Sequence, residues 1–142
     1  MRSIVGDRRG LLLAALLAVS VPAGADVVVV AAKSVGDLTK EQVAEIYLGR
    51  TSALPGGGTV VPLDLAEGNA LREEFYSKVT GKSASQAKSH WAKLAFTGKG
   101  TPPKEVPGSA EVKKAVAGTP GGIGYIEKSA VDDTVKVVFK LN

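Results

Sequence analysis

The stretch Asp26-Val27-Val28-Val29-Val30-Ala31-Ala32 decides the fold. Four consecutive valines, β-branched and without polar alternation, are the pattern of a strand buried on both faces. A strand of that kind needs covering layers, and the residues after it supply them. Leu38-Thr39-Lys40-Glu41-Gln42-Val43 holds a capping box, in which Thr39 can accept from the Gln42 backbone N–H and the Gln42 side chain from Thr39. Leu38 and Val43 are spaced as a hydrophobic staple across that cap. Val43, Ile46 and Tyr47 share one face of the short helix that follows, and Gly49 ends it.

Towards the amino terminus the composition changes. Arg2, Arg8 and Arg9 are followed by an apolar run, Leu11 to Val21, then Pro22 and the small residues Ala23-Gly24-Ala25. The run is too short to cross a bilayer as a helix, which takes about 20 residues. The order of charge, apolar core and small-residue site predicts a signal peptide over 1–25, cleaved after Ala25. Arg8-Arg9 also fits a twin-arginine signal, so the export route stays open. The mature chain, 26–142, is expected in the periplasm, soluble and without a membrane span.

The whole chain carries 18 Lys+Arg and 14 Asp+Glu, a net charge of +4. Removing Arg2, Arg8, Arg9 and Asp7 leaves a net charge of +2, so the mature protein is less basic than the pI of 9.4 suggests. No Lys/Arg stripe is interleaved with aromatics, which argues against nucleic acid as a partner. Cysteine is absent, so disulfides and thiolate metal sites are excluded. One domain stabilised by packing is the expectation.

Further along, Pro55-Gly56-Gly57-Gly58 turns the chain into a strand over 59–65, where Pro62 marks an edge position or a bulge. Asn69, after Gly68, is the N-cap candidate of a helix whose Leu71, Phe75 and Val79 face inward. Gly81 stops that helix. Ser83 and Gln86 form a second capping box, opening a helix through Phe96 with Ala84, Ala87, Trp91, Leu94 and Ala95 as its apolar stripe. A Gly/Pro-rich loop covers 97–108. Ser109 is expected to cap a short helix closed by Gly118, and strands follow over 123–126 and 134–139. The order β-α-β-α-α-α-β-β predicts an α/β fold, a mixed sheet flanked by helices.

Few residues carry chemistry. Thr97-Gly98-Lys99-Gly100-Thr101 fails as a P-loop, because Lys93 stands where its first glycine belongs and Gly100 where Ser or Thr belongs. It can still wrap an anion with backbone N–H groups. The helix start at 68–72 is a second anion candidate, with free N–H groups and Arg72 one step into the helix. Asp64, Glu67, Glu73 and Glu74 oppose it, making the neighbourhood net negative. His90 lacks the partners that catalysis or metal binding requires, and reads as structural. Asp132-Asp133 reads as a turn. No enzyme is indicated, and neither a metal nor a cofactor.

Three ordered segments resemble the substrate-binding component of phosphate ABC transporters. Residues 38–50, ending Ile46-Tyr47-Leu48-Gly49-Arg50, look like that family's helix and its closing glycine. Thr59-Val60-Val61-Pro62 through Gly68-Asn69 looks like the strand entering its phosphate-gripping helix. Pro120-Gly121-Gly122-Ile123-Gly124-Tyr125-Ile126-Glu127 looks like its PGAIGYV turn and strand. The chain has the length of one lobe, whereas the phosphate binders enclose the anion between two. Asn69 stands where that family has Ser, Leu71 where it has Thr, and about Leu65 where it has Arg.

The resemblance implies a single periplasmic-binding-protein-like lobe that contacts phosphate or another small oxyanion. Gly68, Asn69, Arg72, Lys99 and Thr101 are its candidate ligand-binding residues. An ABC transporter permease or another envelope protein is the implied partner. The alternative is a scaffold module whose former cleft face meets a protein, consistent with the missing Arg and Thr donors.

Overall fold

The computed structural model describes residues 26–141; the signal-peptide expectation lies outside the described residues. A five-stranded mixed sheet runs through the molecule in the order β3-β2-β4-β1-β5. The strands are β1 Val27–Ala31, β2 Val61–Leu65, β3 Lys104–Val106, β4 Gly122–Glu127 and β5 Lys136–Lys140. The valine strand lies next to the edge strand β5. All five residues of β1 are buried, and β4 and β5 both pair with it antiparallel. β2 runs parallel to both β3 and β4.

Four helices cover this sheet: α1 Lys40–Tyr47, α2 Ala70–Thr80, α3 Ala84–Phe96 and α4 Ser109–Ala117. Strand alternation assigns the faces. A Cβ on Gly124 would lie 2.5 Å from a Val112 methyl of α4. Its neighbour Tyr125 points the other way and stacks on Phe75 of α2, with ring centroids 4.0 Å apart. So α4 covers one face, and α2 with α1 covers the other.

Both capping boxes form, at Thr39–Gln42 and at Ser83–Gln86. Asn69 caps α2, its side chain accepting from the Leu71 N–H at 2.9 Å. Two expectations need correction. Ser109 is the first residue of α4 rather than its cap; Gly108 takes the cap position with no side-chain bond. The 97–108 loop contains a strand, β3, three residues long and mostly exposed. It is too short to show periodicity, and it exists because β2 offers an open ladder beside it.

Pro62 lies in an interior strand. The Val61 N–H donates to Gly121 O at 2.9 Å, so the next nitrogen, that of Pro62, faces the opposite edge. There β3 pairs only from Leu63 onward, and the missing N–H leaves no ladder bond unmade.

α3 docks on the end of α1. The Trp91 indole N–H donates to Tyr47 O at 2.8 Å, and His90 Nε2 lies 2.6 Å from Leu48 O. These bonds satisfy carbonyls that the end of α1 leaves without helical partners. His90 is therefore held in a structural role.

Candidate functional site

The parallel strands β2, β3 and β4 end at the same side of the sheet, and two helices start there. β2 leads through Gly68 and Asn69 into α2, while β3 leads through Gly108 into α4. The connection after β2 runs over one face and that after β3 over the other. The crevice outside their carboxyl ends is thus a topological switch point, where open α/β sheets place ligands. A cavity of about 430 Å³ lies there, lined by Asn69, Ala70, Leu71, Glu74, Gly108, Ser109 and Glu127. Both helix starts face it with backbone N–H groups and the positive ends of their dipoles.

Gly68 adopts φ +91°, which lets the backbone turn sharply before the cap. The carboxylates expected to oppose an anion are largely committed elsewhere. Asp64 is buried, Glu67 pairs with Lys88, and Glu73 accepts from the Ala84 N–H at 3.4 Å. Glu74 pairs with Lys78 at 3.0 Å and, with Glu127, is the acidic part of the cavity wall.

Arg72 lies apart from this cavity. It is only 4% exposed, and its Nη1 donates to Leu65 O at 2.9 Å and to Glu105 Oε2 at 3.0 Å. Its Nε, 4.0 Å from Asp64 Oδ1, has no hydrogen-bond partner. Around Asp64, 3% exposed, the Tyr76 hydroxyl donates at 2.6 Å and the Tyr125 hydroxyl donates to the other carboxylate oxygen. Burial raises the Asp64 pKa, outweighing the donors and Arg72. Burial, then the Asp64 charge, pushes both tyrosines up. This buried network ties the end of β2 to the first turn of α2 and to β4. An aspartate inside the apolar Pro62-Leu63-Asp64-Leu65 strand is its one trace in the sequence.

Arg72 lines a separate cavity of about 250 Å³, walled also by Trp91, Pro102, Pro103 and Glu105. Lys99 and Thr101 are exposed and line neither cavity. They precede β3, at the amino end of the parallel strands, whereas Gly68 and Asn69 follow β2 at the carboxyl end. Ser109, Gly108 and Glu127 join the cavity instead; the sequence marks Ser109 as a helix start but points none of the three to a ligand. Among the described residues no His/Cys/Asp/Glu group could hold a metal ion.

No protein-family model and no curated protein matches the chain. Solved structures do. A Clostridium perfringens protein, assigned as a phosphate ABC transporter substrate-binding protein and solved with bound phosphate, is 29% identical with a TM-score of 0.64. The match covers 80% of this chain and 44% of that one. An ABC-type phosphate transport receptor from Vibrio cholerae is 19% identical, with a TM-score of 0.62, over 80% of this chain and 45% of its own. PstS of Borrelia burgdorferi is 14% identical, with a TM-score of 0.61, over 80% and 47%. The chain spans about half the length of these structures. The described residues form one periplasmic-binding-protein-like lobe, and the chain resembles the phosphate ABC transporter substrate-binding proteins.

Proposed function

We propose that the chain binds a small oxyanion, phosphate being the first candidate, at the paired starts of α2 and α4, and that it does so in the periplasm without catalysing a reaction. The observation that carries this reading is the single cavity onto which both helix starts open. Gly68 turns the backbone into the site and Asn69 forms part of one wall, while the backbone N–H groups of Ala70 and Ser109 are the donors, the Leu71 N–H being held by the Asn69 cap. The similarity to a structure holding phosphate supports the choice of ligand. Arg72 serves by holding α2 against β2. Lys99 and Thr101 enter the proposal as exposed groups from outside the cavity. An ABC transporter permease is the proposed partner.

An anion held on one lobe stays partly solvated and lacks a buried counter-charge. Its expected dissociation constant is on the order of 1 mM at low ionic strength. Isothermal titration of phosphate into the mature monomer and dimer tests this. Asn69→Ala should weaken binding several-fold, while Lys99→Ala and Thr101→Ala report whether the loop contributes. Absence of heat at millimolar phosphate in both species would sink the reading.

A second reading, a scaffold whose cleft face meets a protein, draws on one observation. Arg72, the arginine of this helix start, is spent on Glu105 and Leu65 rather than offered to a ligand. Transporter genes beside this one favour the first reading, and sensor or secretion genes the second.

A further inference from the structure

The solvent face of α3 carries a feature that anion binding at the sheet end does not use. Between Glu74 and Glu105 the chain has six lysines and no carboxylate. Lys78 and Lys88 pair with Glu74 and Glu67. Lys82, Lys93, Lys99 and Lys104 make no ion pair among the described residues. A groove of about 340 Å³ runs along the helix, lined by Lys82, Ser85, Gln86, Ser89, His90 and Lys93. All six lining residues are polar and none is acidic.

Lys82 precedes the Ser83 cap of α3 and Lys93 lies in its last turn, so the two flank nearly three turns of helix, on the order of 15 Å. That span exceeds a single oxyanion and matches several residues of extended chain. Ser85 and Ser89, between the lysines, keep the floor low enough for a chain to lie close. One turn beyond Lys93 stands Phe96, 93% exposed, the most exposed large hydrophobic side chain among the described residues. At 100° per residue Phe96, Ser85 and Ser89 share the outer face of α3, opposite the buried Ala84, Ala87 and Trp91. Packing does not explain a phenylalanine there, since the core of α3 is complete without it.

We infer that this face of α3 docks an acidic, extended segment of a protein partner. Its carboxylates lie between Lys82 and Lys93, and an apolar residue of the same segment covers Phe96. Charge complementarity identifies the occupant: the groove offers cationic and neutral polar groups only, so only an anionic chain loses no favourable contact on entering. The serine, glutamine and lysine side chains offer hydrogen bonds at fixed spacing to an extended chain, whereas for a lipid surface one aromatic residue is a small anchor.

The probe is a fluorescein-labelled peptide of six glutamates ending in Leu-Leu, titrated with the mature protein at low ionic strength and followed by anisotropy. Saturable binding is expected. The paired reversal Lys82→Glu with Lys93→Glu should weaken it at least tenfold, and Phe96→Ala about threefold. The charge-matched pair Lys33→Glu with Lys40→Glu, on exposed positions elsewhere, should bind like the wild type. Circular dichroism melts confirm folding, and Lys93→Ala alone carries the test if the double variant unfolds. Equal losses in both charge pairs would show a net-charge effect and overturn the proposal. So would Phe96→Ala binding unchanged. Sedimentation with vesicles of equal parts phosphatidylglycerol and phosphatidylethanolamine, without peptide binding, would assign the face to a membrane instead. Asn69→Ala should leave peptide binding intact, which separates this surface from the oxyanion cavity.

Discussion

Asp64 shows how one residue can hold several elements at once. Its carboxylate receives the hydroxyls of Tyr76 from α2 and Tyr125 from β4, and accepts from its neighbour's N–H at 2.9 Å. Truncating one member of such a buried set strands the others, at a cost of about 2–4 kcal/mol. Asp64→Asn should show a loss of that order in urea denaturation near pH 4. The pH dependence has a definite sign. Burial raises the Asp64 pKa in the folded state, so between the unfolded value of about 3.9 and the raised one the folded protein binds more protons. The stability contributed by Asp64 therefore falls as pH rises through that window. The advantage of wild type over Asp64→Asn should shrink from pH 4 to pH 7. An advantage that grows instead would contradict the assignment of burial as the dominant effect.

The elements are set by caps and tight turns that act locally. Ser83 accepts from the Gln86 N–H at 3.1 Å while Gln86 Oε1 accepts from the Ser83 N–H at 2.9 Å. Ser83→Ala should cost about 1 kcal/mol, visible as a lowered thermal midpoint with the fold retained. Gly121 is a harsher constraint. It holds φ +77°, and a Cβ there would lie 2.2 Å from the Thr59 carbonyl oxygen, a backbone atom that cannot swing away. Conformational strain and overlap add, so Gly121→Ala should destabilise by more than about 3 kcal/mol. Refolding yield and urea midpoint would show it. Gly36 is the contrasting control: nothing lies within 4 Å of its Cβ position and its φ is not left-handed, so Gly36→Ala should fold normally.

At the scale of the whole molecule the sheet order matters most. Placing β2 between β3 and β4 sends the two crossover connections to opposite faces and brings the starts of α2 and α4 to one cavity. If phosphate sits there, its affinity should fall between low salt and physiological salt, because the site is open and salt screens the attraction of the two helix dipole ends for the anion by more than it relieves the repulsion of Glu74, itself paired with Lys78. Titration across ionic strength would show the slope, and a salt-independent affinity would point to an enclosed site elsewhere. Much of this architecture was legible in the chain. Four valines in a row announced a covered strand, the two capping boxes marked α1 and α3, and Asn69 marked α2, because each depends on residues within a turn or two. The short β3 was not legible, since its three residues become a strand only beside β2. The direction of Arg72 was hidden for the same reason: Glu105, thirty-three residues away, becomes its partner only once β3 lies against β2. Local hydrogen bonding and periodicity determined the elements. Which helix starts, carboxylates and lysines face one another was decided by tertiary structure alone, because that depends on strand order, and strand order is a pairing between distant segments.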